Sequence, residues 1–474
     1  MKHSILLLFM LTTFSISSNA YDKPTSFHKN KFDIKAHYLN KDDDIYNDVK
    51  YKRNFLNYKE SAVRENALAQ YLVGYEYHIG RGVKQDYKEA VKWYRRSAEN
   101  GNANGQFSLG NMYYYGIGVK QDYKQAYKWF IKSADKKNSS SQFHLGNMYD
   151  FGNGVKKNKQ ESKKLYTKSA EQGHPTAQRF LANVYYSEKS YTDAFKWYKR
   201  SSDQRDSTAQ YMLATLYNLG QGVKQDHSKS FNLFKKSADQ GLAVAQHDLA
   251  VMYYNGNGID KDFDESFKWH QKSARQGNTK AQYNLANMYR DGQGVPQDYK
   301  ESVKWYIKSA EKGDTDAQYN LGNMYYEGKI VSQDYKEAFK WYKKSAEQDN
   351  GKAQYNLGWL YDSGQGVSKD YKEAFKWYKK SAVQGYVLAQ YNSAIYYYFG
   401  KGVEKDYKEA FKWTNKSANQ GYTKAQYNLS YMYCNGEGTL KDLKQCSYWA
   451  SKAKENGQDV KELWDEFDLG KYEE

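Results

Sequence analysis

Apolar residues recur along this chain in blocks that have the spacing of an amphipathic helix. In one block Ala281, Leu285, Met288 and Tyr289 follow the i, i+4, i+7, i+8 pattern that places them on one helical face. After a short polar segment comes a second stripe of the same kind, formed by Val303, Trp305, Tyr306 and Ala310. The pattern therefore predicts a pair of amphipathic helices, each with one face in a core.

The segment between the two stripes carries the signals of a turn and of a new helix. Gly292-Gln293-Gly294 supplies residues that tolerate positive φ and close backbone approach, as the end of a helix requires. Asp298 stands where its carboxylate can accept from the first amides of the second helix and complement the helix dipole. One block is therefore predicted to be a helical hairpin.

The same block returns at a fixed interval along most of the chain. A glutamine marks the first helix in eleven copies, which are 36 residues apart except for one step of 32. These glutamines are Gln70, Gln106, Gln142, Gln178, Gln210, Gln246, Gln282, Gln318, Gln354, Gln390 and Gln426. A period of this length is typical of stacked repeats, in which one unit cannot bury its apolar face alone. We expect each glutamine to hydrogen-bond the backbone of an adjacent loop.

Tryptophan occupies one position of the second helix in nine copies, and leucine fills that position in the other two. These tryptophans are Trp93, Trp129, Trp197, Trp269, Trp305, Trp341, Trp377, Trp413 and Trp449. We interpret them as core residues, not as binding aromatics. Two copies depart from the Gly-x-Gly turn: the Gln178 copy has a shortened loop at Ser187-Glu188-Lys189-Ser190, and the Gln318 copy has Ile330 in place of the second glycine.

The combined motif, Ala-Gln-x-x-Leu-Gly, Tyr, Gly-x-Gly-Val, Asp and Ala-x-x-Trp-Tyr in that order, resembles the Sel-one-like repeat (SLR) family, which is related to the tetratricopeptide repeat. The resemblance covers residues 60–457. It implies an all-α fold, a right-handed α-solenoid of about eleven helical hairpins whose concave face is lined mostly by the first helices. It also implies a scaffold or adaptor role, often in envelope biology or host interaction when such a protein is secreted by a bacterium.

The two ends of the chain differ from the repeats. Residues 1–20 have a basic start, an apolar run and a small-residue end at Ala20, which predicts a secretory signal peptide cleaved after Ala20 and a secreted or periplasmic protein. Residues 21–59 are polar and read as a flexible leader that becomes partly helical near the first repeat. Residues 458–474 place Val460, Leu463, Trp464 and Phe467 on one helical face, which predicts a capping helix and a tail.

The formal net charge is +17, and the lysines recur at fixed positions of the second helices, such as Lys340, Lys343 and Lys344. Such positions would coat the outer face of the array, so a solvated surface is the simplest interpretation. Adhesion to an anionic polymer or lipid surface is the alternative. Nucleic acid is not an expected partner, because no known nucleic-acid-binding module is present.

No arrangement of residues points to catalysis, a metal or a cofactor. The histidines fall at scattered positions without metal-ligand spacing, and the recurring Gly-x-Gly follows a helix, so it is a turn and not a nucleotide loop. Cys434 and Cys446 are the two cysteines, and both lie in the last copy. A helical hairpin can bring them into contact, so a disulfide is one reading in an exported protein and a pair of buried thiols is the other.

Asparagines form a polar row on the first helices of the C-terminal half. The row consists of Asn284, Asn287, Asn320, Asn323, Asn356, Asn392 and Asn428. Residues i and i+3 share a helical face, and an amide both donates and accepts, so a concave row could pair with the backbone of an extended peptide. A merely hydrated inner face is the alternative.

These observations predict a monomeric, non-enzymatic, exported scaffold that binds a protein or peptide partner on its concave face. The alternative is an envelope factor that holds an anionic polysaccharide, peptidoglycan or a membrane surface through its basic face. The two hypotheses differ in their dependence on salt, because only the second relies on exposed charges.

Overall fold

The structure is a computed structural model that describes residues 41–472, with side chains described from Val49 onward. The predicted signal peptide and the first part of the predicted leader lie outside the described residues. Within them the chain forms 24 α-helices and a final 3-10 turn, and no strand occurs in this part. The prediction of an all-α array of helical hairpins is confirmed.

The helices of the described residues group into two compact units, which divide after Gln172. In the first unit the helices are α1 (Lys41–Val63), α2 (Ala67–Ile79), α3 (Tyr87–Glu99), α4 (Ala103–Tyr115), α5 (Tyr123–Asp135), α6 (Ser139–Phe151) and α7 (Lys159–Glu171). Helices α2 to α7 are three hairpins, repeats 1 to 3. Helix α1 packs on repeat 1 through Phe55 and Ala62, beside Val73 and Trp93.

The second unit contains repeats 4 to 11 and the C-terminal cap. Its helices are α8 (Pro175–Ser187), α9 (Tyr191–Asp203), α10 (Ser207–Leu219), α11 (His227–Asp239), α12 (Ala243–Asn255), α13 (Phe263–Arg275), α14 (Thr279–Asp291), α15 (Tyr299–Glu311), α16 (Thr315–Glu327), α17 (Tyr335–Glu347), α18 (Gly351–Ser363), α19 (Tyr371–Val383), α20 (Val387–Phe399), α21 (Tyr407–Asn419), α22 (Thr423–Asn435), α23 (Leu443–Glu455) and α24 (Lys461–Glu466). The turn Leu469–Tyr472 follows.

Within each unit every helix packs against the next one, so each hairpin is covered by its neighbours. The core repeats one set of side chains: in repeat 8 these are Ala317, Leu321, Trp341 and Tyr342, all buried. Six of the nine recurrent tryptophans are buried, whereas Trp129, Trp305 and Trp449 are half-buried. The tryptophan positions are thus mainly core, as the sequence predicted.

Turn chemistry explains why each hairpin closes where it does. Gly292 ends α14 at φ 67°, and Asp298 accepts from the Glu301 amide at 3.0 Å to start α15. The second glycine has a different role: a Cβ at Gly294 would lie 2.0 Å from the carbonyl oxygen of Phe263 in the previous repeat. That position is therefore a close contact between repeats, and the short loop touches the start of the preceding second helix.

The recurrent glutamines form a buried hydrogen-bond ladder. In repeat 9 the Gln354 side chain donates to the Ala346 carbonyl at 3.1 Å and accepts from Gln384 at 2.9 Å. The Ala346 carbonyl lies at the end of the second helix of the preceding repeat, and Gln384 follows the second helix of the same repeat. The Ala346 carbonyl also accepts from the Asp349 amide at 3.1 Å, so the glutamine adds a second bond at the end of that helix. A hydrogen bond to the backbone of the preceding repeat is the structural role expected from the sequence.

The C-terminal segment covers the last repeat. Leu463 and Leu469 are buried against Cys446 and Ala450, and the Ser447 hydroxyl donates to the Leu469 carbonyl at 3.2 Å. The end of an array exposes an apolar surface that needs such a cover. In the part of the chain that the structure describes, no helix is long and apolar enough to cross a membrane.

Candidate functional site

One side of every first helix is left for solvent or a partner. We define the first-helix face as the residues one, two, five and nine positions after each recurrent glutamine. In repeat 9 the glutamine itself, Leu357, Gly358 and Leu360 are buried, whereas the residues of the face are half-buried or exposed. The helical period separates these two sides because residues i, i+1, i+4 and i+8 lie together.

All seven predicted asparagines lie on this face and are half-buried. Asn284 and Asn287 belong to α14, and the others to the first helices of repeats 8 to 11. The structure therefore groups them as the sequence predicted, but it also gives several of them partners within the protein.

The asparagine amides bond to tyrosine hydroxyls and to one another, both within a repeat and across repeat boundaries. Asn323 accepts from the Tyr342 hydroxyl at 2.7 Å and from the Asn356 amide at 3.3 Å. Asn320 donates to the Tyr283 hydroxyl of the preceding repeat at 3.4 Å. The asparagine row is thus also a tie between successive first helices, a role that sequence reasoning missed.

A signal for this tie is present in the sequence. The tyrosine that bonds the asparagine follows the recurrent tryptophan, as Tyr198 does beside Asn183 at 2.6 Å. Repeat 2 has Phe130 at that position, and there the Asn111 side-chain oxygen is buried without a partner. The pairing of asparagine in the first helix with tyrosine in the second could therefore have been noticed before the structure.

Tyrosines of the face are held in their protonated form. Burial, together with Tyr386 and Tyr422, raises the pKa of Tyr355 to about 12, while a hydrogen bond from Asn392 opposes that rise. Burial also raises the pKa of Tyr391. These hydroxyls are therefore neutral donors and acceptors at physiological pH.

The last three repeats carry large apolar residues at the centre of the face, which sequence reasoning also missed. Five positions after the glutamine, repeats 9, 10 and 11 have Trp359, Ile395 and Tyr431, where repeats 7 and 8 have asparagine. Trp359 is 43% exposed and Tyr431 is 38% exposed, and Phe399 beside Ile395 is 68% exposed. The change of residue type along this one position was visible in the sequence.

The lysines of the second helices have local partners. Lys340 lies 3.0 Å from Glu337 one turn earlier, and Lys344 lies over the Trp341 ring at 4.4 Å. The same two contacts recur in repeat 9, where Lys376 pairs with Glu373 and Lys380 covers Trp377. Exposed pairs of this kind contribute little stability, but they show that much of the basic surface is balanced locally.

A polar cluster lies where repeats 5 and 6 meet, with His270 buried and His247 and Asp248 half-buried. The Tyr211 hydroxyl donates to Asp248 at 3.0 Å, and the rings of His247 and His270 are 5.3 Å apart. Burial lowers the pKa of His247 to about 4 and raises the pKa of Asp248 to about 6. Among the described residues no group of three potential ligands could hold a metal ion.

The two cysteines meet in repeat 11. Cys434 at the end of α22 and Cys446 in α23 form a disulfide in the structure, with their Cα atoms 5.3 Å apart. Both residues are fully buried beneath the C-terminal segment. The Cα separation lies in the range that a disulfide needs, and the redox state in solution stays a prediction.

Comparison with known proteins decides the family. Eleven consecutive matches to the Sel1 repeat cover residues 67–102, 103–138, 139–174, 175–206, 207–242, 243–278, 279–314, 315–350, 351–386, 387–422 and 423–458. The chain belongs to the Sel1 repeat family. The resemblance noted from the sequence is thereby confirmed.

Solved Sel1 repeat structures resemble this chain over most of its length. A protective antigen present in uropathogenic Escherichia coli strains, which displays an SLR fold, is 35% identical over 89% of this chain and 91% of its own, with a TM-score of 0.74. A Sel1 repeat protein from Oxalobacter formigenes is 28% identical over 72% of this chain and 90% of its own, with a TM-score of 0.47. No significant match was found among curated proteins. Sel1 repeat folds typically serve as protein–protein interaction scaffolds and are generally non-enzymatic.

Proposed function

We propose that this Sel1 repeat protein is an exported, non-enzymatic scaffold that binds a protein or peptide partner on the first-helix face of repeats 7 to 11. The observation that carries the proposal is the network of hydrogen bonds that holds the asparagines of that face in place. Asn323, for example, is fixed by both Tyr342 and Asn356. Side chains held in this way lose little conformational freedom on binding, which favours recognition.

Export is part of the proposal and rests on residues 1–20, whose basic start, apolar run and small-residue end at Ala20 have the order of a signal peptide. The similarity to a protective antigen of uropathogenic Escherichia coli supports a place at or outside the envelope. A disulfide between Cys434 and Cys446 is compatible with such an oxidising space.

The basic face is the less favoured site for a partner. Its lysines are balanced by neighbours such as Glu337 and Glu373, and several lie over tryptophan rings. An anionic polymer would have to compete with these contacts. The first-helix face of repeats 9 to 11 has no charge of its own to displace.

A capture experiment with the purified full chain distinguishes the two sites. We expect a protein partner to be recovered equally at about 0.1 M and about 1 M salt, although the Debye length falls from about 10 Å to about 3 Å. Binding of an anionic polysaccharide or of acidic vesicles that disappears at high salt, without a salt-resistant protein partner, would contradict the proposal and favour the basic face.

A further inference from the structure

Two positions in most hairpins bring a ring of the first helix against a ring of the second. The first ring directly follows the recurrent glutamine, and the second directly follows the recurrent tryptophan position. In repeat 7 these rings belong to Tyr283 and Tyr306, with centroids 5.9 Å apart. Tyrosine or phenylalanine fills both positions in seven repeats, at 5.5–6.1 Å. Repeat 6 instead has His247 and His270, at 5.3 Å.

We call His247 and His270 the histidine pair. His270 is 1% exposed, and the Nδ1 atoms of both rings are buried without a hydrogen-bond partner among the described residues. In repeat 8 the equivalent second-helix ring has a partner, since the Tyr342 hydroxyl donates to Asn323. Repeat 6 has Val251 at that asparagine position, so this tie is absent. A neutral imidazole keeps one acceptor nitrogen, and that nitrogen can take up a proton.

Titratable groups of α10, α12 and α14 lie around His247. The Asp248 carboxylate, on the same helix, lies 3.8 Å from the His247 Nε2 atom. It accepts from the hydroxyl of Tyr211 on α10 at 3.0 Å. The positive charge of Lys280 on α14 acts on both His247 and Asp248. His247 therefore has one carboxylate and one ammonium group to balance a charge of its own.

His270 has no such balance. Lysines of α11 and α13, Lys235 and Lys272, lie over the ring of the preceding Trp269 at 6.0 and 3.7 Å. Among the described residues no carboxylate contacts His270, and the titratable group that acts on it is His247. A proton on His270 would place a positive charge in a buried site beside a second imidazole. Burial of an unpaired charge is strongly unfavourable.

The pair therefore makes the closed repeat less stable in acid than an open repeat, whose histidines are in water. Burial and Lys280 lower the pKa of His247 to about 4, and burial and His247 lower the pKa of His270 well below its usual value of about 6.5. The open repeat binds both protons as the pH falls below about 6.5, whereas the closed repeat does not, so falling pH favours opening.

Asp248 opposes this effect in part. Burial raises the pKa of Asp248 to about 6, so the closed repeat takes up a proton there before the open repeat does. Falling pH stabilises the closed repeat through this group. Two histidines against one carboxylate leave the open repeat with a net excess of one proton between pH values of about 6 and about 4.

We propose that repeat 6 is an acid-sensitive joint of the array, at which the histidine pair becomes charged and α12 separates from α13 while the neighbouring repeats stay folded. Opening at this point interrupts the stack between repeats 5 and 7, because each hairpin is covered by its neighbours. The first-helix face is then no longer continuous from repeat 5 to repeat 7. No partner takes part in this step, so its failure would leave the proposed function untouched.

Hydrogen exchange of the full chain, followed by mass spectrometry, tests this joint. The rate of each segment is divided by its intrinsic rate at the same pH, which gives its protection. One excess proton lowers the ratio of closed to open repeat tenfold for each pH unit, so the protection of α12 and α13 should fall about 30-fold from about pH 6 to about pH 4.5. Repeat 9, which has no histidine in α18 or α19, should keep its protection.

Restoring the residues of repeat 7 should remove the effect. His247→Tyr, Val251→Asn and His270→Tyr together recreate the tyrosine pair and its asparagine, and α12 and α13 should then lose no protection in acid. His247→Phe, which introduces the residue of repeats 2 and 3, is the milder variant and removes the excess proton. His227→Tyr is the matched control: His227 is exposed at the start of α11, where most repeats have tyrosine, so the fall should stay intact.

Three results would overturn the proposal. The first is equal protection of α12 and α13 at about pH 6 and about pH 4.5 in the parent protein. The second is the same fall in the triple variant as in the parent, and if the triple variant does not fold, an undiminished fall in His247→Phe has the same meaning. The third is an equal fall in repeat 9, which would show general unfolding in acid and not a local joint.

Discussion

The hydrogen bonds of the recurrent glutamine depend on the residue at the end of the following second helix. In most repeats its oxygen accepts from a glutamine or asparagine at the end of the second helix, as Gln318 does from Gln348 at 2.8 Å. In repeat 7 that residue is Lys312, which donates to the Gly277 carbonyl at 2.7 Å instead. The Gln282 oxygen is then buried without a partner. An unpaired buried acceptor costs free energy.

Lys312→Gln should therefore stabilise repeat 7. A glutamine at this position can make both bonds, since Gln204 donates to Gly173 at 3.0 Å and to Gln178 at 2.9 Å. We expect a gain of about 0.5–1.5 kcal/mol, the usual net contribution of a hydrogen bond. Hydrogen exchange in α14 and α15, followed by mass spectrometry, measures it.

The matched control reverses the change one repeat later. Gln348→Lys removes the donor to Gln318 and should destabilise repeat 8 by about 1–3 kcal/mol, the cost of an unsatisfied buried group. Faster exchange in repeat 7 of Lys312→Gln, or unchanged exchange in both variants, would contradict this account of the ladder.

The sequence predicted only part of this hydrogen-bond ladder. The glutamine recurs in all eleven copies, which indicated a structural role, because the same side chain at the same position of each repeat is expected to make the same contacts. Its second partner could not be predicted, since the residue that meets Gln354, namely Gln384, lies 30 positions away. The tie between Asn323 and Tyr342 was missed although the sequence contains its signal, the pairing of asparagine in the first helix with tyrosine in the second.

At the scale of the helix, sequence pattern and structure agree closely. Apolar period, capping aspartate and terminal glycine all act within one hairpin, so the pattern of 281–310 predicts α14, its turn and α15 from local information. Contacts between hairpins are different. The second glycine of the turn was assigned to the turn alone, whereas Gly294 also touches the previous repeat, where an added Cβ would meet Phe263.

The last hairpin has an additional tie, the Cys434–Cys446 disulfide. A loop of this length should stabilise the hairpin by about 3 kcal/mol. Reductant should therefore speed hydrogen exchange in α22, α23 and the C-terminal turn while repeats 7 to 9 stay unchanged, because stability in an array is local.

Alkylation gives the direct chemical test, and it must be done in denaturant because both sulfurs are buried. Without reductant neither cysteine should be labelled, and with reductant both should be. A Cys434→Ala, Cys446→Ala double variant is the control, since reductant should not change its exchange. Complete labelling without reductant would show that the native protein holds two free thiols.

At the scale of the molecule, the residues that stabilise the array differ from those of the proposed binding face. Buried residues that recur along the array, such as Trp341 and Leu321, face the neighbouring helices, whereas the first-helix face carries the asparagine side chains and the exposed Trp359. The period indicated the array, and the resemblance implied which helices line its inner face. Trp359, Ile395 and Tyr431 of that face do not follow from the period, because they stand where it is broken, although the change of residue type is itself visible in the sequence.

The central claim is that a partner binds the first-helix face and not the lysines of the second helices. Two triple variants test it: Asn320→Ala, Asn356→Ala, Asn392→Ala against Lys340→Glu, Lys343→Glu, Lys344→Glu. Both should keep their helical content, since alanine is a better helix former than asparagine and the lysines are exposed.

The measurement is the affinity of each variant for the captured partner. The account predicts that the asparagine variant binds more weakly by at least about 1 kcal/mol for each amide that pairs with the partner, while the lysine variant binds like the parent protein. Normal binding by the asparagine variant together with loss of binding in the lysine variant would contradict the account and place the site on the basic face.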